Sequence, residues 1–145
     1  MNVHHVIFAI FFAVVAISAV LADSSQQNDV VTYEEVKALK DNTSVYLFDV
    51  RRPSELVETG FIPGAINIPI DTLEDTLKNL SSEEFSKKFN RPKPDLDTIL
   101  VFYCTTGIRS AKAQKIALDL GYINAKNYLG SWRDWEAKLK AEKAT

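Results

Sequence analysis

A cysteine, a glycine and an arginine lie close together where an apolar segment of the chain ends. Cys104 follows the apolar run at 98–103, and Gly107 and Arg109 come three and five positions after it. A loop between a strand and a helix directs backbone N–H groups and a helix N-terminus at such a thiol, and both stabilise negative charge. The negatively charged form of cysteine is the thiolate, which is the nucleophile. The spacing therefore predicts a cysteine nucleophile that handles small anions.

The composition of the 145-residue chain limits what can assist that cysteine. Cys104 is the single cysteine, which excludes an internal disulfide framework and a multi-cysteine metal site. His4 and His5 are the only histidines, and both lie in an N-terminal segment that we expect to be removed. Backbone dipoles and arginine must then activate the thiol, so we expect no metal and no organic cofactor. The net charge of −2 gives no basic surface for nucleic acid.

Residues 1–22 are typical of a targeting segment. The run at 6–22 is apolar and uncharged, and it ends in small residues of the kind that signal peptidase cuts after. We expect a cleaved signal peptide at 1–22 and a secreted protein, or one in the lumen of the secretory pathway. The alternatives are an uncleaved membrane anchor, since the run is just long enough to span a bilayer, and an organelle presequence. Asn42 and Asn79 begin sequences that accept N-linked glycans on that route.

Strand and helix patterns alternate along the rest of the chain. After a flexible spacer at 23–29, we expect one domain at 30–140 and a charged tail at 141–145. Short apolar runs predict strands at 30–31, 45–48, 66–68, 98–103 and 127–129, and helical patterns begin near residues 32, 53, 71, 81, 108 and 131. This order predicts an α/β fold with a central, mostly parallel sheet of about five strands and helices on both faces.

Other polar and aromatic side chains are candidates for a supporting role. Asp49 comes at the end of a predicted strand, as the cysteine does, so the two are expected to share one crevice. Asp49 and Arg51 form either a structural ion pair beneath the loop, which we favour, or part of the substrate site. Glu55 is a further candidate for the same network. Trp132 either packs in the core with Trp135, three positions away, or forms a wall of the pocket.

Four stretches of the chain resemble the rhodanese (sulfurtransferase) family in its single-domain form. In order they are Phe-Asp-Val-Arg at 48–51, Gly-Phe-Ile-Pro-Gly-Ala-Ile-Asn-Ile-Pro at 60–69, Cys-Thr-Thr-Gly-Ile-Arg-Ser at 104–110 and Gly-Ser-Trp at 130–132. The resemblance is greatest to the small eukaryotic group that includes thiosulfate:glutathione sulfurtransferases. Two positions differ from the family pattern, because Phe61 replaces a frequent histidine and Thr105 replaces a residue that is often charged.

The resemblance implies transfer of sulfane sulfur through a persulfide on Cys104. The thiolate would take sulfur from thiosulfate or a persulfide and pass it to a thiol such as glutathione, or to cyanide, with ping-pong kinetics. Arg109 would bind the oxyanion of the donor or support the loop. Backbone N–H groups of the loop would hold the anionic persulfide. The loop consists of Cys104, Thr105, Thr106, Gly107, Ile108, Arg109 and Ser110.

Two other functions are compatible with such a loop. Protein phosphatases separate the cysteine and the arginine by five residues, whereas four residues separate Cys104 and Arg109. The smaller ring suits a single sulfur atom better than a phosphoryl group, which disfavours phosphatase activity. The second alternative is a non-catalytic module that carries sulfur or binds proteins. Such a module would accept one sulfur and stop, whereas an enzyme would turn over repeatedly.

Overall fold

The computed structural model describes residues 29–145, whose strands form one parallel sheet. The strands are β1 (Val45–Asp49), β2 (Ile66–Asn67), β3 (Ile99–Tyr103) and β4 (Ala125–Asn127). Their order is β2-β1-β3-β4, and neighbouring strands are parallel throughout. Asp49 pairs in register with Tyr103, so β1 and β3 end side by side at one edge of the sheet. The predicted signal peptide at 1–22 lies outside the described residues.

Helices connect the strands, and local sequence signals set several of their ends. Within the described part of the chain they are α1 (Tyr33–Ala38), α2 (Pro53–Thr59), α3 (Ile70–Asn79), α4 (Ser82–Phe89), α5 (Ile108–Asp119) and α6 (Ser131–Lys143). Thr32 and Glu35 form the predicted capping box of α1, Pro53 opens α2, and Ser81 caps α4. Among these helices, none has the length and apolar character needed to cross a membrane.

Side chains of successive strand residues point to opposite faces of the sheet and so build two cores. On one face the buried rings of Phe48 and Phe102 stack with centroids 5.4 Å apart, beneath α3, α4 and α5. On the other face Leu47 and Val101 are buried beneath α1 and α6. The predicted α/β architecture, with helices on both faces of a parallel sheet, is confirmed.

Two predictions about the strands were wrong in detail. The strand expected at 127–129 lies two residues earlier, because residues 125–127 are the ones that pair with β3, while Leu129 is 55% exposed. The described residues contain a four-stranded sheet rather than one of about five strands. Val30 makes only an isolated parallel bridge to Asn127, since α1 begins at Tyr33 and leaves no length for a fifth strand.

The last helix, α6, continues to Lys143, beyond the end of the expected domain at residue 140. The reason is a long-range contact, because Glu142 forms a 2.6 Å ion pair with Lys37 and accepts a 3.1 Å hydrogen bond from the Tyr33 hydroxyl. The last turn of α6 is therefore held against α1.

Candidate active site

Cys104 lies immediately after β3, in the short loop that leads into α5. Its side chain is 1% exposed and packs in the core beneath α3, α4 and α5. The loop turns at Gly107, whose φ of +93° lies in the left-handed region that favours glycine. A Cβ atom at this position would collide with the backbone carbonyl oxygen of Leu129. Glycine is therefore required here both for the backbone conformation and for the close approach of the β4–α6 connection.

Hydrogen-bond donors surround the sulfur of Cys104. The backbone N–H of Gly107 donates to Sγ at 3.1 Å, and the buried hydroxyl of Ser110 lies 3.5 Å from it. Burial raises the pKa of the Cys104 thiol, but hydrogen bonds outweigh this effect, and the pKa lies below the ordinary cysteine value. The donors are the Ser110 hydroxyl and the backbone N–H groups of Ser110, Thr106 and Gly107. The loop therefore favours the thiolate form.

The guanidinium of Arg109 is bound by a carboxylate from α2. Its two terminal nitrogens donate to the two oxygens of Glu55 at 2.8 and 2.9 Å, and one of them also donates to the Thr105 hydroxyl at 3.1 Å. The Thr105 hydroxyl in turn donates to Glu55 at 3.1 Å. The three side chains close a ring of hydrogen bonds that joins the loop to α2. These contacts support the loop, which was one of the two roles expected of Arg109.

Glu55 is the side chain that links α2 to the loop, and its charge is strongly stabilised. The hydrogen bond from Arg109 is the largest influence and lowers the pKa of Glu55; desolvation opposes this shift, and the backbone N–H of Arg52 adds to it. Glu55 was a candidate for the network of Asp49, but its partners are Arg109, Thr105 and the backbone N–H of Arg52. The sequence signal for its role is the position of Glu55. It is an acidic residue in the first turn of α2, and α2 begins at the same edge of the sheet as the loop.

Asp49 and Arg51 form a buried ion pair. Their side chains are 0% and 1% exposed, and the shortest distance between them, from a terminal nitrogen to Oδ2, is 2.7 Å. Arg51 also donates to the hydroxyl of Thr59 at 2.9 Å and to the carbonyl of Gly60 at 3.0 Å. The pair therefore connects the end of β1 to the end of α2.

Asp49 and Cys104 lie at the same edge of the sheet, but their side chains point to opposite faces. Asp49 follows Phe48 along β1 and so points to the opposite face, where its partner Arg51 lies 4.9 Å from the centroid of the Trp132 ring. Trp132 belongs to the core beneath α1 and α6, together with Trp135, and is 9% exposed. Of the two roles expected of Trp132, packing in the core fits these surroundings better than forming a wall of the pocket.

The remaining loop positions contribute mainly through the backbone. Ile108 opens α5 with a side chain that is 68% exposed, and Thr106 is also exposed. A hydroxyl that the sequence analysis did not single out does reach the loop, because the backbone N–H of Cys104 donates to Ser131 Oγ at 3.1 Å. Within residues 29–145, no group of three or more His, Cys, Asp or Glu side chains is placed to hold a metal ion.

Comparison with known proteins shows the family of this chain. A family model of the rhodanese-like domain matches residues 32–138. The chain belongs to the rhodanese family. This rhodanese is 47% identical over 107 residues to a rhodanese domain-containing protein of Drosophila melanogaster, across 74% of this chain and 96% of that protein.

Two human proteins carry more specific names. The chain is 39% identical over 109 residues to the human thiosulfate:glutathione sulfurtransferase, across 74% of this chain and 93% of that enzyme. The solved structure of a human single-domain sulfurtransferase matches with a TM-score of 0.69 and 38% identity, across 76% of this chain and 96% of that one. The rhodanese described here is therefore similar to single-domain sulfurtransferases over nearly their whole length.

Proposed function

We propose that this rhodanese is a sulfurtransferase in which Cys104 carries the transferred sulfur as a persulfide. The observation that carries the proposal is the environment of Sγ, where a buried thiol has its pKa lowered by convergent hydrogen-bond donors. Family membership and the names of the relatives support sulfur transfer as the reaction.

The first half-reaction charges the cysteine with sulfur. The Cys104 thiolate attacks the outer sulfur of thiosulfate, a new S–S bond forms, and the S–S bond of the donor breaks. Sulfite leaves with the electron pair of that bond. With a persulfide donor the leaving group is a thiolate. The N–H groups of the loop, including that of Gly107, then stabilise the anionic persulfide.

The second half-reaction returns the enzyme to its starting state. An acceptor thiolate attacks the terminal sulfur of the persulfide, and Cys104 leaves as a thiolate stabilised by the same donors. The acceptor becomes a persulfide, and the electrons and charge balance without a cofactor. We propose a small thiol such as glutathione as the acceptor, which is supported by the name of the human relative. Ping-pong kinetics follow from the two half-reactions.

The experiment that tests this function is steady-state sulfur transfer from thiosulfate to glutathione and to cyanide. We expect repeated turnover, with parallel lines when the reciprocal rate is plotted against the reciprocal concentration of one substrate at several concentrations of the other. Cys104→Ser preserves the size of the side chain and should abolish turnover without unfolding the protein. Transfer that stops after one sulfur per protein would instead favour the sulfur-carrier alternative, and residual turnover in Cys104→Ser would refute the role of this cysteine.

We also propose that residues 1–22 direct this enzyme into the secretory pathway and are removed there. The support is the apolar, uncharged run that ends in small residues. Expression of the full chain in eukaryotic cells, followed by N-terminal sequencing, should give Asp23 as the first residue. An intact N-terminus in a membrane fraction would support the anchor alternative. Exposed Asn42 and Asn79 provide a second readout, because N-glycans would be removed by an endoglycosidase.

A further inference from the structure

The first turn of α6 is hydrogen-bonded to the loop that contains Cys104. The backbone N–H of Trp132 donates to the carbonyl of Cys104 at 2.9 Å, and that of Arg133 donates to the carbonyl of Thr105 at 3.2 Å. In the opposite direction, the backbone N–H of Cys104 donates to the side chain of Ser131 at 3.1 Å. The free N–H groups at the start of a helix are thus used to hold the loop rather than to bind a ligand. The position of Cys104 therefore depends on α6.

Ser131 adopts a backbone conformation that serine normally avoids. Its φ is +57°, and its side chain is fully buried. A glycine would adopt this conformation without steric strain, because the strain comes from the Cβ atom. The preceding residue, Gly130, has an ordinary φ of −62°, so the strained position is occupied by the serine even though a glycine stands next to it. The position with the strained backbone is therefore occupied by the residue that carries a hydroxyl, and not by the neighbouring glycine.

The Ser131 hydroxyl has one proton, and its partners show where that proton goes. Its oxygen lies 2.8 Å from the carbonyl oxygen of Tyr128, which can only accept a hydrogen bond. The hydroxyl therefore donates to Tyr128 and accepts from the N–H of Cys104. Cys104 Sγ lies 3.9 Å away and does not receive this proton. Ser131 thus acts on the backbone of Cys104, whereas Ser110 acts directly on the sulfur.

We propose that Ser131 is a positioning residue for Cys104, whose hydroxyl holds the cysteine backbone so that Sγ stays within reach of the Gly107 N–H and the Ser110 hydroxyl. This inference rests on the proposed role of Cys104 as the nucleophile. Without the Ser131 hydroxyl, the buried N–H of Cys104 loses its partner, and a buried N–H without a partner is unfavourable. The loop then shifts to satisfy it, and the hydrogen bonds to Sγ lengthen.

Two substitutions in the full chain separate the hydroxyl from the strain. S131A removes the hydroxyl and keeps the Cβ atom, whereas S131G removes both. The rate of Cys104 alkylation by iodoacetamide is measured across the pH range, and its midpoint reports the thiol pKa. We expect the midpoint to rise by about half a unit or more in both variants, which is roughly a three-fold loss of thiolate at neutral pH. We also expect S131G to melt about 3 °C or more above S131A, because it lacks the strain.

Thr76→Ala is the matched control, since Thr76 is 2% exposed and lies on α3, which is part of neither the loop nor α6. It should lower the melting temperature and leave the alkylation midpoint unchanged. If S131G has the same alkylation midpoint as the wild-type protein, the proposal is overturned, because a glycine at this position would then hold Cys104 equally well. S131G decides the question even if S131A fails to fold. Alkylation needs no sulfur donor, so a wild-type protein that alkylates as expected but transfers no sulfur would refute the proposed function and not this inference.

Discussion

Burial and hydrogen bonding act in opposite directions on Cys104. Burial alone would keep the thiol neutral, and it is the convergence of the Ser110 hydroxyl with several backbone N–H groups that lowers its pKa. Because the donors are fixed by the turn at Gly107, they are already in place when negative charge develops on sulfur. The same donors serve the thiolate and the persulfide, which are both anions.

Transfer activity should depend on pH in a way that reports this environment. The deprotonated form is the nucleophile, so the rate of the first half-reaction should rise with pH, with a midpoint below the ordinary pKa of a cysteine thiol. Ser110→Ala removes the hydroxyl donor and should move the midpoint upward. Single-turnover rates with thiosulfate across pH provide the measurement. A wild-type midpoint at or above that of a free cysteine would contradict the account.

Glu55 should stabilise the fold only while it is ionised. Its pKa is depressed in the folded protein, so its contribution is fully present above the unfolded pKa of about 4.3 and is lost as pH falls towards the folded value. We expect Glu55→Gln to reduce the free energy of unfolding by about 1 kcal/mol at neutral pH, a figure that allows for the partial exposure of Arg109. Urea denaturation of the wild type and of Glu55→Gln should show that the difference between their free energies of unfolding becomes smaller near pH 3. A difference that is constant with pH would refute the ionic contribution.

The residues that complete the site are distant in the sequence. The loop itself could be predicted, because a Cys–Gly–Arg pattern between an apolar run and a helical pattern is local. Glu55 lies 54 residues before Arg109, and Ser131 lies 27 residues after Cys104. No local pattern joins these pairs, since the contacts exist only after the strands have assembled. The nucleophile was therefore predictable from its local pattern. Glu55 was expected in the network of Asp49 rather than beside Arg109, and nothing in the local sequence pointed to Ser131.

At the level of elements, α2 and α6 position the loop from different directions. α2 presents Glu55 to Arg109, and the first turn of α6 binds the backbone at Cys104. The ends of several helices were predictable because capping is local, as at Thr32 and Ser81. The register of β4 was not predictable, because it is set by pairing with β3 across a helix of intervening sequence.

The contact between the loop and the β4–α6 connection can be tested at a single glycine. Gly107→Ala would place a Cβ atom against the Leu129 carbonyl in addition to straining a φ of +93°. We expect a loss of about 2–4 kcal/mol in the free energy of unfolding, together with loss of sulfur transfer. Urea denaturation and turnover measured on the same samples give both quantities.

Gly121→Ala is the control for the strain alone. Gly121 has a φ of +95°, but the nearest atoms to a Cβ there belong to the Leu96 side chain, at 3.8 and 3.9 Å. This variant should lose only about 1–2 kcal/mol and keep its activity. Equal losses of stability in the two variants would show that the approach to Leu129 has no energetic importance.

At the level of the whole molecule, the buried ion pair of Asp49 and Arg51 connects the sheet to two helices. It connects the end of β1 with the end of α2 and lies against Trp132 of α6. Asp49→Ala would leave the Arg51 charge buried without its counter-ion, and we expect a loss of about 3–5 kcal/mol. Urea denaturation provides the measurement. A loss below about 1 kcal/mol would show that the pair is not a structural centre of the fold.

The general architecture followed from the sequence because each face of the sheet is built from alternating strand residues. Phe48 and Leu47 illustrate this, since they are adjacent in the chain and belong to opposite cores. Asp49 and Cys104 follow the same rule. Both residues come at strand ends, but their side chains point to opposite faces, so a shared edge of the sheet does not by itself bring two side chains together.

The central claim is that Cys104 accepts a sulfur atom, and intact mass spectrometry after exposure to thiosulfate alone tests it most directly. The reduced protein should gain about 32 Da, the mass of one sulfur, and lose it again when glutathione is added. Cys104→Ser, treated identically, should gain nothing. A folded, reduced wild-type protein that keeps its mass with thiosulfate and with a persulfide donor, or a Cys104→Ser variant that gains the same mass, would contradict the account.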